Sequence, residues 1–271
     1  MKIVSFNVNS LRQRLHQLAS VIDKHSPEFI GLQETKVQDH EFPLEAINEL
    51  GYQVIFAGQK THYGVALLSK QACMQPVYGF PGDDENSQKR FIGGEFDLDG
   101  RRFVVFNGYF PQGESRDHAV KFPAKQRFYS DLQLFLNDYD MSESNLIVMG
   151  DYNIAPDDKD IGIGDDNAKR WLKTGKASFL PEEREWFVRL ASLGLYDGFR
   201  LCHADEDNLF SWFDYRSRAF EREPRRGLRI DHLMVSEKLK PAVLDAGVDY
   251  DIRAMEKPSD HAPAWIELGI D

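Results

Sequence analysis

The 271-residue sequence is poor in cysteine: Cys73 and Cys202 lie far apart and form no Cys-x-x-Cys motif. This excludes a disulfide framework or a cysteine zinc finger, and it suits a reducing compartment. The sequence also lacks any run of about 18 apolar residues, and polar residues interrupt the apolar stretch behind Met1. We therefore predict neither a transmembrane helix nor a signal peptide, and we expect a cytoplasmic protein without a membrane partner.

Positive charge is in deficit, because 33 Lys and Arg residues face 44 Asp and Glu residues and leave a net charge of -11. Proteins that coat nucleic acid through bulk charge are usually basic, so this composition argues against a packaging role. It leaves room for an enzyme that meets a phosphate polymer at one local basic patch. The acidic surplus also suits a site in which several carboxylates bind a metal ion.

Internal repeats, low-complexity segments and Gly/Ser- or Pro-rich linkers are absent as well. With 42% hydrophobic residues, the chain has ample material for a core. We therefore predict one α/β domain that spans residues 1–271.

The stretch 146–156 is the strongest motif of the sequence. Its apolar residues Leu146 to Met149 predict a buried strand, which Gly150 ends. Asp151 and Asn153 follow two residues apart, so both side chains would point to one place just outside the sheet. The alternative is an ordinary turn, since Gly-Asp-x-Asn is common turn chemistry.

Further predicted strands also carry a polar residue at or near one end. They are 2–8 with Asn7, 29–33 with Glu34, 101–110 with Tyr109, 227–235 with Asp231, and 264–268 preceded by Asp260 and His261. Helical spacing predicts helices near 11–22, 44–50, 128–136 and 186–193, and further strands pair 52–56 with 64–68 and 91–98 with 101–110. A single acid at a strand end usually lies in a solvated turn, but several strand ends at one rim of a sheet predict a shared site.

Four of these residues are carboxylates, namely Glu34, Asp151, Asp231 and Asp260. Gathered in one pocket they would repel each other, and a divalent cation removes that conflict. Oxygen ligands without sulfur favour Mg²⁺ or Mn²⁺ over zinc. Together with a histidine and a tyrosine, such an ion suits hydrolysis at phosphorus. These residues alone do not separate Asp151 as a general base from Asp151 as a metal ligand.

Six motifs resemble those of one enzyme family. They are SFNVNSLR around Asn7, GLQETK around Glu34, NGYFPQGES around Tyr109, GDYNIAP, GLRIDHL and PSDHAP. Together they resemble the exonuclease III branch of abasic-site endonucleases, within the endonuclease/exonuclease/phosphatase superfamily. The resemblance runs from Met1 to about Leu268, and YFPQGESRDH, FLPEEREW and FSWFDYRS are its most specific segments.

The resemblance implies a four-layered α/β sandwich, in which two mixed β-sheets pack face to face between helices. It also implies that Glu34 is the main metal ligand, that Asp151 orients or deprotonates the attacking water, and that Asp231 pairs with His261. Tyr109, Asn153 and His261 would hold the phosphate. The implied metal-binding set is Asn7, Glu34, Asp151, Asn153, Asp260 and His261. The implied catalytic set is Tyr109, Asp151, Asn153, Asp231 and His261.

Two basic segments, 169–176 and 216–229, frame the aromatic stretch 210–215. A charge run is usually a solvated face and dense aromatics are usually core, but in an acidic chain the two basic segments suit a groove that follows a phosphate backbone. Strand-like alternation would place Trp212 and Phe213 on opposite faces, so only part of the stretch would be core. In the resembled family this stretch forms the pocket for a base-less sugar. The predicted DNA contacts are Arg90, Gln112, Lys121, Trp212, Phe213 and Arg216.

The sequence thus predicts a monomeric, Mg²⁺-dependent DNA repair nuclease. It would incise duplex DNA 5′ to abasic sites and act as a 3′-5′ exonuclease and 3′-phosphatase at 3′ ends. One alternative is a phosphodiesterase or phosphatase of the same superfamily that acts on a lipid or inositol headgroup. Another is a nucleic-acid-binding module without catalysis, which predicts losses among the metal-binding acids, and the sequence shows none.

Overall fold

Two six-stranded β-sheets dominate the computed structural model, which describes residues 1–270. The strands are β1 Lys2–Asn7, β2 Phe29–Gln33, β3 Gln53–Ala57, β4 Val65–Ser69, β5 Gln75–Tyr78, β6 Phe91–Leu98, β7 Arg101–Tyr109, β8 Asn145–Asp151, β9 Leu195–Asp197, β10 Asp231–Ser236, β11 Val243–Val248 and β12 Ala264–Leu268.

Seven α-helices in this part of the chain connect and cover the strands. They are α1 Leu15–His25, α2 Leu44–Glu49, α3 Lys121–Leu136, α4 Asp165–Thr174, α5 Pro181–Ala191, α6 Gly198–Cys202 and α7 Tyr250–Arg253. Short 3₁₀ turns lie at Leu11–Gln13, Asp39–Glu41, Asp158–Asp160, Ala219–Glu221 and Lys240–Ala242. None of the helices within residues 1–270 combines the length and the apolar character that a membrane crossing requires.

The two sheets share one plan. The first has the order β11-β12-β1-β2-β4-β3 and the second β5-β6-β7-β8-β10-β9. At the centre of each sheet lies a parallel pair, β1 with β2 and β7 with β8. The other neighbours among the described strands are antiparallel.

Apolar side chains fill three layers, because successive residues of a strand point to opposite faces of its sheet. Ile3 packs between the sheets, whereas Val4 packs outward with residues of α1, α2 and α7. Met149 likewise points between the sheets, and Val148 packs outward with residues of α3 and α5. The order helix, sheet, sheet, helix confirms the predicted four-layered α/β sandwich.

A small polar cluster joins the two sheets inside the apolar layer between them. Asn107 Nδ2 donates to the carbonyls of Leu32 and Ala66 at 2.9 Å each, and Gln33 Nε2 donates to Asn107 Oδ1 at 2.6 Å. Gly31 leaves the necessary room, since a Cβ there would lie 2.8 Å from Asn107 Oδ1. Because buried amides require partners, these bonds fix how the sheets face each other.

The predicted strand 227–235 is wrong at its start. Strand β10 begins at Asp231, and residues 227–230 form a loop in which Leu228 bridges to Ile161 and Trp212. Arg229 turns into the protein and forms ion pairs with Asp160 and Asp197 at 2.7 Å each. Because these ion pairs hold Arg229 inside the protein, the backbone of residues 227–230 does not pair with the neighbouring strand.

Other differences concern elements whose apolar pattern is weak. Leu11 lies in a 3₁₀ turn before α1, and Leu193 lies beyond the end of α5. The strands β5, β9 and β11 are sheet edges, where fewer residues are buried, and they escaped the sequence analysis. Helix α4 escaped it as well, because Trp171 is the only buried residue among its ten.

Candidate active site

Four predicted site residues lie where the central parallel strands end. Asn7 ends β1 and Glu34 follows β2, while Tyr109 ends β7 and Asp151 ends β8. Parallel neighbours bring their carboxyl ends to the same edge, and Tyr109 stands beside Asp151 in the register. Since both parallel pairs are central in their sheets, the four residues meet at one rim of the sandwich.

The remaining acids and the histidine come from antiparallel strands that start at this rim. Asp231 begins β10 directly opposite Asp151. Asp260 and His261 lie just before β12, whose first residue, Ala264, pairs with Ser5 of β1. The start of an antiparallel strand meets the end of its neighbour, so these residues reach the same site.

Short contacts join the site residues. Asn7 Nδ2 lies 3.0 Å from both Glu34 Oε1 and Asp151 Oδ2. His261 Nδ1 lies 2.8 Å from Asp231 Oδ2, and its Nε2 lies 3.8 Å from Asp151 Oδ2. Possible ligand atoms of Glu34, Asp151 and His261 all lie within 4.8 Å of one another.

The pKa values of two carboxyl groups in the site are shifted in opposite directions by their surroundings. Burial works to raise the pKa of Glu34, but Lys36 and Asn7 outweigh it and the pKa is lowered. Burial raises the pKa of Asp151, helped by the charges of Asp231 and Glu34 and opposed by His261. Two carboxylates a few ångströms apart therefore have opposite pKa shifts, as expected of groups with different tasks.

His261 and Tyr109 both keep a proton at neutral pH. Burial alone would lower the pKa of His261, but the charges of Asp231 and Asp151 raise it to about 10. Burial, followed by the charge of Glu34, raises the pKa of Tyr109 well above its ordinary value. Both side chains are thus hydrogen-bond donors that suit an anionic substrate.

Asn153 is held in a left-handed conformation, with φ of 54°. Its backbone N–H donates to Asp151 Oδ1 at 3.0 Å, and its Nδ2 donates to the carbonyl of Phe110 at 3.0 Å. Its own carbonyl accepts from Lys125 Nζ at 2.8 Å. Three hydrogen bonds therefore hold the loop after β8 in place, and Asn153 lines the cavity at the site.

The donor set fits a hard divalent cation. Carboxylate oxygens dominate it, one imidazole nitrogen accompanies them, and neither cysteine of the chain is part of it. In addition, Asp231 Oδ1 is buried and has no hydrogen-bond partner within residues 1–270. A buried carboxylate oxygen without a partner, close to further carboxylates, is what a bound cation relieves.

Two of the predicted metal ligands, Asn7 and Asp260, have other hydrogen-bond partners in the structure. Asn7 presents its nitrogen to Glu34 and Asp151, because its Oδ1 accepts from the backbone N–H of Asn9. In this arrangement of the amide the nitrogen of Asn7 faces the carboxylates, and its role as an oxygen ligand stays a prediction. Asp260 accepts from Asn9 Nδ2 at 2.9 Å and from Trp212 Nε1 at 3.1 Å, and lies outside the cluster of Glu34, Asp151 and His261.

Four supporting residues were missed by the sequence analysis. Lys36 Nζ pairs with Glu34 at 2.7 Å and also donates to Asn9 Oδ1. Ser211 Oγ accepts from the backbone N–H of Asp231, and Ser259 Oγ accepts from that of His261. Only their positions close to the motifs hint at these roles, since serine, lysine and asparagine are common in loops.

The site residues lie in a cavity of about 240 Å³, whose acidic floor is formed by Glu34, Asp151 and Asp260. Trp212 belongs to the wall, and its indole nitrogen is tied to Asp260. Leu228 and Ile230 provide an apolar side, and Gln112 reaches the same cavity. The arrangement offers an apolar surface next to a polar, acidic floor.

The other predicted DNA-contacting residues differ in exposure and in the groups that they contact. Arg90 lies 4.5 Å above the Tyr109 ring and donates to the Tyr109 carbonyl at 3.0 Å. Lys121 is exposed and pairs with Glu114 at 2.6 Å. Arg216 is exposed and lines a second cavity beside the first.

Phe213 is a correction to the predicted DNA contacts. Its side chain is 0% exposed and packs with Phe210, Ala219, Phe220 and Tyr250. A ring closed off from solvent cannot touch DNA, so Phe213 belongs to the core. Trp212 next to it is only partly buried.

Comparison with known proteins agrees with this geometry. A model of the Endonuclease/Exonuclease/phosphatase family matches residues 4–261. Exodeoxyribonuclease III of Haemophilus influenzae is 55% identical over 268 residues, which cover 99% of this chain and 100% of that relative. A solved 3′ phosphatase, NExo from Neisseria, bound to a product DNA hairpin, matches with a TM-score of 0.89 and 36% identity over 100% of both chains.

A solved AP endonuclease from Archaeoglobus fulgidus matches with a TM-score of 0.89 and 30% identity, again over 100% of both chains. These matches confirm the resemblance that the sequence motifs indicate. The chain therefore belongs to the endonuclease/exonuclease/phosphatase family.

Proposed function

We propose that this protein is a divalent-metal-dependent DNA repair nuclease that hydrolyses phosphodiester bonds of duplex DNA. It incises 5′ to abasic sites and acts as a 3′-5′ exonuclease and 3′-phosphatase at 3′ ends. The observation that carries the proposal is the cluster of Glu34, Asp151 and His261 at the floor of a cavity walled by Trp212. The names of the relatives, an exodeoxyribonuclease III, a 3′ phosphatase and an AP endonuclease, support it.

The residues that would hold the ion are those of the predicted set. Glu34 and Asp151 offer carboxylate oxygens and Asn153 an amide oxygen, with Asp260 in the same cavity. His261 would offer a nitrogen only after it loses the proton that its raised pKa holds at neutral pH. Asn7 would join them after its amide turns over, which exchanges two groups of nearly equal shape. A bound Mg²⁺ or Mn²⁺ would polarise the phosphoryl oxygen and stabilise the leaving oxygen.

Asp151 suits the role of general base toward water. Its pKa is raised by burial, which makes it a better proton acceptor than an ordinary aspartate. Contacts with Asn7 Nδ2 and the Asn153 N–H fix the orientation of its two oxygens. A water between Asp151 and the phosphorus would be oriented by the same carboxylate.

His261 and Tyr109 suit the binding of the phosphate. Asp231 holds the Nδ1–H of His261, which leaves the protonated Nε2 free to donate toward the cavity. Tyr109 adds a hydroxyl that burial keeps protonated. Such donors stabilise charge that develops on the phosphoryl oxygens.

A duplex with one abasic site tests the proposal directly. We expect incision on the 5′ side of that site with Mg²⁺ or Mn²⁺ and none in excess chelator, and restored cleavage when the ion is returned. A duplex with a 3′-terminal phosphate should lose it under the same conditions. Undiminished cleavage in chelator, or hydrolysis of an inositol phosphate in preference to both duplexes, would contradict the proposal.

We also propose that residues 1–271 act as one nuclease domain, as a monomer and in the cytoplasm. The acidic surface, with its net charge of -11, supports a protein that stays dispersed. The low cysteine content supports a reducing compartment. Sedimentation at assay concentration tests the monomer, and a dimeric mass would contradict it.

A further inference from the structure

A groove of about 730 Å³ lies where the two sheets end in their edge strands β3 and β5, and we call it the edge groove. Its apolar lining includes Ile55 and Ala57 of β3, and Tyr78 of β5. Ile55 and Ala57 are only partly buried, whereas every residue of the neighbouring strand β4 is buried. Within residues 1–270, the edge groove and the catalytic cavity have no lining residue in common. It is therefore a separate concave surface that exposes part of the apolar layer between the sheets.

Strand β3 has a free backbone edge along this groove. Apart from its ladder with β4, Gln53–Ala57 forms no other backbone–backbone hydrogen bond in the described part of the chain. Every second residue of an antiparallel strand directs its N–H and carbonyl away from the paired neighbour, so β3 presents unpaired donors and acceptors. Such edges are commonly blunted by proline or charge, and β5 carries Pro76. Strand β3 contains neither proline nor a charged residue.

The rim of the edge groove is acidic. It carries four exposed carboxylates, which form no ion pair within residues 1–270: Asp39, Asp83, Asp84 and Glu85. The two cations of the lining are engaged by other groups. Lys89 Nζ donates to two backbone carbonyls of its own loop, and the Arg90 guanidinium lies between the rings of Tyr63 and Tyr109. The rim thus keeps a net negative charge.

Local hydrogen bonds and ring stacking give the rim a defined shape. Asp83 accepts from the backbone N–H of Phe80 at 2.9 Å, and Asp39 accepts from that of Gly58, directly after β3, at 2.6 Å. Phe80 in turn stacks on Phe91 of β6, with 4.6 Å between the ring centroids. The carboxylates are therefore held beside the free edge before any partner binds.

We propose that the edge groove binds an extended, lysine- and arginine-rich segment of a partner protein, which adds to β3 as a further strand. Main-chain hydrogen bonds to the free edge would supply affinity. The apolar stems of the basic side chains would lie along Ile55, Ala57 and Tyr78, and their charged ends would reach the acidic rim. Charge complementarity selects a basic peptide, since the same carboxylates repel the phosphates of a nucleic acid.

A labelled peptide of four Lys-Val repeats, which favours an extended conformation, tests the charge of the partner. Fluorescence anisotropy at low salt should show saturable binding to the wild type. Asp84→Asn/Glu85→Gln should weaken it about fivefold, as the loss of two exposed ion pairs of modest strength would. The matched control is Glu45→Gln/Glu49→Gln, which removes two exposed acids of α2 outside the edge groove and should leave binding unchanged.

The same peptide with a methyl group on every backbone nitrogen tests strand addition. It cannot donate main-chain hydrogen bonds, so it should bind at least about tenfold more weakly. With the unmodified peptide, amide hydrogen exchange in Gln53–Ala57 should become slower. Equal binding of the two peptides, or slower exchange only in other segments, would overturn strand addition to β3.

The assay contains neither DNA nor a metal ion, so its result is independent of the proposed nuclease activity. Melting temperatures equal to that of the wild type show that both double variants are folded. Wild-type protein that does not bind the peptide would overturn the proposal. Equal weakening by the groove variant and the α2 control would overturn it as well, because the peptide would then respond only to the total charge.

Discussion

Asp151 is held at both of its carboxylate oxygens. Asn7 Nδ2 donates to Oδ2, and the backbone N–H of Asn153 donates to Oδ1. Asp231 stands directly across from it in the sheet, and His261 Nε2 lies 3.8 Å away. This residue is therefore oriented by hydrogen bonds and adjusted by charge, which is what a general base requires.

Asp151→Asn should abolish turnover and leave DNA binding intact. An amide keeps the shape of the side chain but cannot accept the proton of water, so we expect a loss on the order of 10²–10⁴-fold. Single-turnover cleavage and fluorescence anisotropy measure the two properties separately. Asp138→Asn, at an exposed position, is the matched control. A rate close to that of the wild type would assign Asp151 a structural role.

Asp231→Asn should lower the pKa of His261. Burial works against the charged ring, and the Asp231 charge is the main cause that raises its pKa from 6.5 to about 10. With a raised pKa, the ion pair stabilises the fold fully below pH 6.5 and loses its contribution as the pH rises through about 10. NMR titration of the ring nitrogens without metal measures the shift. An unchanged pKa in the variant would mean that another group holds the proton.

Among the structural elements, the segment 210–215 shows how neighbours in sequence divide between two tasks. Trp212 faces the cavities and donates to Asp260, whereas Phe213 is fully buried. Both are large aromatics, so composition gives no means of telling them apart. Their different contacts make them a matched pair.

Trp212→Ala should lower the rate of incision, whereas Phe213→Ala should lower the stability of the fold. Loss of stacking on DNA at Trp212 is worth about 1–3 kcal/mol, so abasic incision should slow by about ten- to a hundredfold with little change in melting temperature. Loss of buried Phe213 should cost about 3–5 kcal/mol of stability and reduce every activity together. Thermal unfolding and incision rates distinguish the two. A stable Trp212→Ala protein with full activity would remove Trp212 from the substrate site.

A buried ion pair connects two helices behind the catalytic loop. Lys125 of α3 lies 2.5 Å from Glu183 of α5, and both side chains are 0% exposed. Lys125 also donates to the carbonyls of Asn153 and Gln112, while Glu183 accepts from the backbone N–H of Ser178. Helix packing is thereby coupled to the positions of three residues that line the catalytic cavity, Gln112, Asn153 and Ser178.

Lys125→Met should destabilise the fold by about 3–5 kcal/mol, because it leaves the buried carboxylate of Glu183 without a countercharge. The double variant Lys125→Met/Glu183→Gln should recover part of that stability, since the unpaired charge is gone. Its cleavage rate should stay low, because the tie to the Asn153 carbonyl is still missing. Urea unfolding and single-turnover rates measure both. Full recovery of the rate would show that Lys125 acts only on stability.

For the molecule as a whole, the net charge of -11 and a DNA substrate are in apparent conflict. Five cations that have no ion-pair partner among residues 1–270, Arg170, Lys176, Arg216, Arg222 and Arg226, line one cavity beside the catalytic one, and we expect the DNA to contact the protein there. Binding should then depend on a few phosphate contacts and not on the total charge.

DNA affinity should fall as salt rises, with a log-log slope on the order of -3 to -6 for a handful of phosphate contacts. Because each contact releases counterions, Arg226→Gln should reduce the magnitude of this slope by about one unit. Anisotropy titrations at several salt concentrations measure it. Affinity that is flat from low to moderate salt would contradict a cationic groove.

The sequence by itself determined most strands and the residues at their ends. Alternating or continuous apolar runs marked β1, β2, β7, β8 and β12, and a helical period marked α1 and α3. These signals are local, since they depend on which residues of one short segment are buried. The motifs added Asn7, Glu34, Tyr109, Asp151, Asp231, Asp260 and His261, and the structure brings all of them to one rim.

Tertiary structure alone decided how each of these residues is used. Asn7 and Asp151 are 144 positions apart, and their contact exists only because both strands are central in facing sheets. Arg229 pairs with Asp160 and Asp197 inside the protein, whereas Arg226, three positions earlier, lines the second cavity and has no ion-pair partner among residues 1–270. Pairing and burial depend on residues distant in the chain, so the same residue type in the same segment acquires opposite roles.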